Sequence, residues 1–367
     1  MKLIITGGHH TSALPVINTI QKDHPETAIH WIGHRHSLKG NKADTLEYKQ
    51  ITSLGIPFYE LQAGKFYKTY DPIRLLKIPF GFFQAFYLLL KVRPDVILSF
   101  GGYLAVPVVL AAWVLRIPSI THEQTVVIGH ANKLISKFAK KLLISWKASA
   151  KFFPPKKTVF TGLPLRENIF MSQSNTFNIA NDLPTVYITT GKSGSKIINN
   201  VVKETLRELL QFCNIIHQCG EHSLYNYFQE LGAEYERIKN DSKGQCFLKT
   251  YVLENEIGEV LTKADLIVSR AGAHTISEIL AQEKPSVLIP IPWVSHNEQY
   301  KNAKLIESKG LGKIINEKEL SKESLLTTIK ESLENLPANA SSKTTTLIVR
   351  DAAQKIVNEV FKLEKKQ

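Results

Sequence analysis

Short apolar runs rich in β-branched residues recur along the 367-residue chain, each followed by a longer segment whose apolar positions return every three or four residues. The short runs predict buried strands, and the longer periodic segments predict helices with one apolar face. In the first half strands are expected near residues 3–6, 29–32, 96–99, 119–122, 141–145 and 158–161. In the second half they are expected near 185–189, 214–218, 245–250, 266–269, 286–289 and 312–315. Strand and helix alternate with no short-period repeat. This predicts α/β architecture: two Rossmann-like, doubly wound domains, each a parallel sheet covered by helices. The junction is expected from Gly162-Leu163-Pro164 through the polar stretch 172–182, giving domains over 1–163 and 164–346. A second polar segment, 337–346, precedes a last helix over 347–365.

Charge divides the two halves. Residues 1–162 hold 21 Lys and Arg against 8 Asp and Glu, while the remainder holds 25 of each, so the whole net charge of +13 lies in the first half. A domain with that field seeks an anionic surface, either nucleic acid or anionic lipid. The segment 70–93 favours lipid. Its run Pro79-Phe80-Gly81-Phe82-Phe83-Gln84-Ala85-Phe86-Tyr87-Leu88-Leu89-Leu90 is apolar and aromatic, with Arg74, Lys77, Lys91 and Arg93 at its ends. It falls short of the roughly 20 apolar residues needed to span a bilayer. It reads either as an interfacial helix or as a core helix, and one face could serve each purpose. Lys133, Lys137, Lys140 and Lys141 follow helical spacing and predict a basic stripe on the same half. Three cysteines, Cys213, Cys219 and Cys246, form an odd set without metal-type spacing, which points to a reducing compartment. Met1-Lys2 runs straight into the first strand, so no signal peptide is expected.

The chemistry concentrates in loops between a strand and a helix. Residues 264–269 read as a buried strand, 270–275 as a turn of small residues, and 276–281 as the body of a helix. Backbone N–H groups at such a helix start, with the positive end of the helix dipole, form an anion site. Glu278 shares a helical face with His274 and Thr275, where a carboxylate can accept both hydroxyls of a ribose. The alternative is an ordinary turn with a solvated Glu. A second turn, Gly7-Gly8-His9-His10, opens the first helix. Histidine suits a general base because its pKa lies near working pH. His9 is the first choice for the base and His10 the second, the alternative being a helix cap or a phosphate contact. A third turn, Gly191-Lys192-Ser193-Gly194, follows another strand, and Lys192 either brings charge to a diphosphate or reaches solvent. No acidic pair is placed to bridge a metal to a diphosphate, so neither metal nor cofactor is expected.

Ser269-Arg270-Ala271-Gly272-Ala273, Thr275, Ser277-Glu278, the Pro-rich loop 289–292 and Gln299-Tyr300 with Asn302-Ala303 together resemble one family. This is the bacterial lipid-I N-acetylglucosaminyltransferase family, known as MurG. Gly101-Gly102-Tyr103 and Pro107 resemble its Gly-Gly-Tyr segment. His122-Glu123-Gln124-Thr125 resembles its His-Glu-Gln-Asn, with Thr125 departing, and Gly129 and Asn132 continue the match. Thr161-Gly162-Leu163-Pro164-Leu165-Arg166 resembles Thr-Gly-Asn-Pro-Val-Arg, and His217-Gln218-Cys219-Gly220 resembles His-Gln-Ser-Gly. Three departures stand out. The first Gly loop is shortened, Lys192-Ser193 replaces Ser-Gln, and Glu298 stands where the family often has Gln.

The resemblance implies a GT-B fold, its two Rossmann-like domains facing a cleft, with the last helix returning to the first domain. It implies inverting transfer of N-acetylglucosamine from UDP-GlcNAc to undecaprenyl-diphosphate-MurNAc-pentapeptide (lipid I), giving lipid II for peptidoglycan, hence cell shape and division. His9 would be the base. Gly7, Gly8, His10, Tyr103, His122, Glu123, Gln124 and Asn132 would line the acceptor side. Arg166 would clamp the leaving diphosphate or form a hinge salt bridge. Gly191, Lys192, Ser193, Gly194, Val252, Arg270, Ala273, His274, Thr275, Glu278, Glu298 and Gln299 would serve the donor. The resemblance further implies peripheral attachment to the cytoplasmic face of the cell membrane through anionic lipid, other cell-wall synthesis proteins as partners, and no nucleic acid. Alternatives are a transferase for another glycolipid, a non-catalytic membrane recruiter, and a UDP-sugar 2-epimerase of the same architecture. His122-Glu123-Gln124 and the apolar segment argue against the last.

Overall fold

The computed structural model describes residues 1–8, 10–36, 44–64, 72–172, 174–221, 225–294, 297–335 and 348–364, with the side chains of 72–78 outside the description. The chain divides into two compact units, Met1–Leu165 with Val349–Gln367, and Arg166–Ile348.

In the first unit β1 (Lys2–Thr6), β2 (Ala28–Gly33), β3 (Phe58–Glu60), β4 (Val96–Ser99), β5 (Ser119–Glu123), β6 (Lys141–Ile144) and β7 (Thr158–Phe160) form one sheet in the order β3-β2-β1-β4-β5-β6-β7. Every described pairing in it is parallel. Its central strands are apolar at successive positions because helices cover both faces. On one face α1 (His10–Asp23) and the last helix of the chain (Ala352–Phe361) close over Leu3, Ile5, Trp31, Val96 and Leu98. On the other face α3 (Pro72–Val92) and α4 (Ala105–Val114) pack over Ile4, Ile32 and Ile97. Two further helices, α2 (Leu46–Ser53) and α5 (His130–Ile135), complete this unit. The edge strand β3 has no counterpart in the hydrophobic pattern. Its three residues Phe58-Tyr59-Glu60 are too few to show a period, and pairing with β2 makes them a strand.

The second unit repeats the plan. Its strands β8 (Thr185–Thr189), β9 (Asn214–Gln218), β10 (Cys246–Lys249), β11 (Leu266–Ser269), β12 (Ser286–Leu288) and β13 (Gly312–Ile314) lie in the order β10-β9-β8-β11-β12-β13. Between them run α6 (Lys196–Leu209), α7 (Tyr227–Ile238), α8 (Ile257–Lys263), α9 (Ala273–Gln282) and α10 (Glu298–Glu307), with α11 (Lys322–Glu334) after β13. The polar stretch expected as a linker is tied to this unit. Glu259 on α8 accepts hydrogen bonds from the Thr176 and Phe177 N–H groups at 2.8 and 3.0 Å and from Ser174, and the Phe177 ring is fully buried.

One expectation changes, and one left open is decided. The lysines at 133, 137, 140 and 141 do not form one helical stripe, because α5 ends at Ile135 and Lys141 opens β6, paired with Glu359. The apolar helix α3 divides by face. Ala85, Leu88, Leu89 and Val92 are core, Phe82 and Phe86 are half-buried against that core, and Phe80, Phe83, Tyr87 and Leu90 are exposed. No helix among the described residues is long and apolar enough to cross a membrane.

Candidate functional site

In an open parallel sheet, ligands bind beyond the carboxyl ends of the strands where the strand order reverses. In the first sheet that point lies between β1 and β4, and in the second between β8 and β11. The expected turns Gly7-Gly8 and Gly101-Gly102-Tyr103 leave β1 and β4, while 190–194 and 270–273 leave β8 and β11. Sequence and topology therefore select the same four loops.

In the second unit the loop after β8 lies against backbone. A Cβ on Gly220 would come within 2.2 Å of the Gly194 nitrogen, and one on Gly194 within 2.8 Å of the Cys219 oxygen. Both residues also have positive φ, so only glycine allows this approach. Beneath it, His217 is fully buried between the Ile188 carbonyl at 3.1 Å and Asn199 Oδ1 at 3.0 Å, and burial lowers its pKa to about 4. Gln218 accepts from the Val252 N–H at 2.9 Å, which fixes the turn carrying Val252.

The charged groups of this unit converge. Arg166 Nη2 donates to Glu278 Oε1 at 2.6 Å, with both side chains largely buried. Burial opposes the Arg166 charge, and Glu278 more than offsets it, so the pKa is raised. Although Lys192 is exposed, desolvation first and Arg166 second lower its pKa to about 8, against the attraction of Glu254 and Glu278. Glu254 joins this group without any signal in the sequence. Helix α9 begins at Ala273 after an extended N-cap, Gly272, which has no side chain to accept from the first N–H groups. His274, Thr275 and Glu278 lie half-buried along its first turns.

Arg270, expected on the donor side, is held by protein partners. Its guanidinium pairs with Glu317 at 2.6 Å and donates to the Ile289 carbonyl at 3.1 Å and to Ser195 Oγ at 2.8 Å. It thereby fixes the residue that opens α6. Gln299 Oε1 accepts from the Ile291 N–H at 3.1 Å, and Asn302 Nδ2 donates to the Ala271 carbonyl at 3.0 Å. These bonds tie α10 to the Pro-rich loop and to the turn before α9. Glu298 is half-buried at the start of α10.

In the first unit the two glycine turns touch. Gly8 N–H donates to the Gly101 carbonyl at 3.3 Å, and a Cβ on Gly7 would come within 2.8 Å of that oxygen. His10 Nε2 lies 3.0 Å from Gln50 Oε1, and Tyr103 Oη lies 2.6 Å from His34 Nε2. His9 lies outside the described residues. Several residues expected on the acceptor side spend their polar atoms on the loop itself. Buried Glu123 accepts from the Thr125 N–H and hydroxyl, the Gly129 N–H and Asn132 Nδ2, all at 3.0–3.2 Å. Asn132 Oδ1 accepts from Thr121, and His122 Nε2 lies 2.9 Å from the Gly162 carbonyl. Gln124 differs: it is 2 % exposed, and its amide nitrogen and oxygen meet no hydrogen-bond partner among the described residues. The sequence marked this stretch but could not show which of its side chains turn inward.

Two Rossmann-like units, each with its ligand-type turns at the strand-order reversal, define a GT-B glycosyltransferase fold. Residues 4–144 match the glycosyltransferase family 28 N-terminal domain, and 185–356 match the glycosyltransferase family 28 C-terminal domain. A Bacillus cytotoxicus relative named UDP-N-acetylglucosamine--N-acetylmuramyl-(pentapeptide) pyrophosphoryl-undecaprenol N-acetylglucosamine transferase is 34% identical, the alignment covering 98% of each chain. The chain belongs to the MurG-type branch of glycosyltransferase family 28. The fold is also that of Acinetobacter baumannii MurG, with TM-score 0.70, 24% identity, and 98% of this chain and 99% of that one covered. A UDP-GlcNAc 2-epimerase from Neisseria meningitidis shares the fold at TM-score 0.62 and 15% identity, over 99% of this chain and 100% of its own.

Proposed function

We propose that this protein transfers N-acetylglucosamine from UDP-GlcNAc to undecaprenyl-diphosphate-MurNAc-pentapeptide, giving lipid II and UDP with inversion at the anomeric carbon. The observation that carries this reading is the 34% identity over nearly the full length to a relative named for that activity. In the second unit, the α9 N-terminus and the Gly191–Gly194 turn receive the diphosphate, with Arg166 and Lys192 supplying positive charge as it leaves. Glu278 takes the ribose hydroxyls, Val252 borders the base, and Gln299 and Glu298 lie toward the sugar. Arg270 acts by holding Ser195 and the Pro-rich loop. In the first unit, the acceptor hydroxyl attacks the anomeric carbon while His9, at the turn after β1, takes its proton. Metal has no role in this scheme, since cationic side chains and helix termini meet the developing charge.

The first unit also attaches the enzyme to the cytoplasmic face of the membrane. Exposed Phe80, Phe83, Tyr87 and Leu90 on α3 and Trp113 on α4 offer apolar side chains, and Lys91, Arg93 and Arg116 offer charge to anionic headgroups. The test is direct. Purified protein with UDP-GlcNAc and lipid I should form lipid II, and should still do so in EDTA. Hydrolysis or 2-epimerisation of UDP-GlcNAc without transfer would overturn the assignment, and an absolute need for added Mg²⁺ or Mn²⁺ would overturn the metal-free scheme.

A further inference from the structure

Beside the two glycine turns of the first unit lies a third element that neither the motifs nor the proposed mechanism uses: the end of β2. Trp31 Nε1 donates to Glu47 Oε1 at 2.7 Å, and this bond passes directly over Gly33. A Cβ there would stand 2.0 Å from the Glu47 oxygen and 2.5 Å from the indole nitrogen. Glu47, 9% exposed, also binds the backbone of His34. From the other side Thr45 Oγ1 donates to the His34 carbonyl at 2.8 Å. The main chain of His34 is thus held at both its N–H and its C=O by α2 and the residue that caps it. That anchorage aims the imidazole at Tyr103, whose hydroxyl it meets at 2.6 Å. Tyr103 in turn follows Gly101-Gly102, the turn that touches Gly8.

We infer that His34 is a positioning residue for the acceptor, fixing the Tyr103 hydroxyl beside the paired glycine turns. A phenol hydroxyl carries one donor and two acceptor sites, and its hydrogen rotates to suit its partners. The bond to His34 settles that rotation before the acceptor arrives, which removes an ordering cost from binding. Burial, with Glu47 adding to it, raises the Tyr103 pKa, so the hydroxyl keeps its proton at working pH. The inference rests on the first unit being the acceptor-binding half, as proposed above.

The experiment is steady-state kinetics with lipid I and UDP-GlcNAc on the full chain. In His34→Ala the KM for lipid I should rise roughly three- to tenfold, the worth of one hydrogen bond, while the KM for UDP-GlcNAc holds. Tyr103→Phe should give a similar rise, and the double variant no more than either alone, because both changes remove the same contact. His34→Gln, which can still reach the phenol, should recover most of the loss. An unchanged lipid I KM in His34→Ala, additive effects in the double variant, or equal rises in both KM values would each overturn the inference. Failure of the parent to use lipid I would overturn the functional reading and this inference with it, whereas a fully active His34→Ala would remove the inference alone.

Discussion

Arg166 holds one oxygen of Glu278, and the other meets no hydrogen-bond donor among the described residues. The carboxylate can therefore keep its cation while it accepts from a ribose. Glu278→Ala should weaken UDP and uridine alike by about 1.5–3 kcal/mol, the range for hydrogen bonds to a charged group. Calorimetry separates this from a purely structural role. If Glu278 only restrained Arg166, its removal would leave uridine unaffected and tighten UDP. Lys192 makes a second prediction at this scale. Its pKa is lowered to about 8, so below that pH the ammonium is present and above it the charge is lost. UDP affinity should then fall as pH rises from 7 to 9, and Lys192→Met should flatten the profile. A variant that keeps the parent's pH dependence would remove Lys192 from the phosphate site.

Among the elements, α8 carries a buried anchor. Burial raises the Glu259 pKa, but Lys263, Ser174 and the N–H groups of Thr176 and Phe177 lower it further, to about 2. The folded value lies below the ordinary 4.5, so the stabilisation is complete above that pH and is lost as pH falls toward 2. Glu259→Ala leaves the Thr176 and Phe177 N–H groups without their acceptor and Lys263, which keeps the Phe177 carbonyl, without its counter-charge, and should cost about 3–5 kcal/mol. Thermal unfolding at pH 7 checks the size. The difference between parent and variant should shrink on acidification, and a pH-independent difference would assign the loss to packing alone.

For the whole molecule, the charge asymmetry is the main lever. An excess of +13 within residues 1–162 should bring the protein to anionic vesicles at low salt, and the attachment should weaken as salt screens it. The exposed faces of α3 and α4 should supply a salt-resistant part. Because Phe82 lies against the core while Phe83 is 68% exposed, Phe83→Ser with Tyr87→Ser tests that part without opening the interior. Cosedimentation should show weaker high-salt binding by a folded double variant. Equal binding to neutral and anionic vesicles at every salt concentration would contradict the electrostatic part.

Twelve strands and the turns at the strand-order reversals were legible in the sequence, because parallel strands covered on both faces are written as unbroken apolar runs and these turns as runs of glycine and other small residues. Motif resemblance assigned the chemistry to those turns. Tertiary structure decided the rest. Pairing alone makes a strand of Phe58–Glu60, and burial alone turns Glu123 and Asn132 into the braces of a loop. Folding brings Arg166 to Glu278, 112 residues away, and Arg270 to Ser195 and Glu317. Local sequence records which surface a residue can bury and which turn it can make. Which charged group meets which is a property of distant strand ends brought together, and only the folded chain carries it.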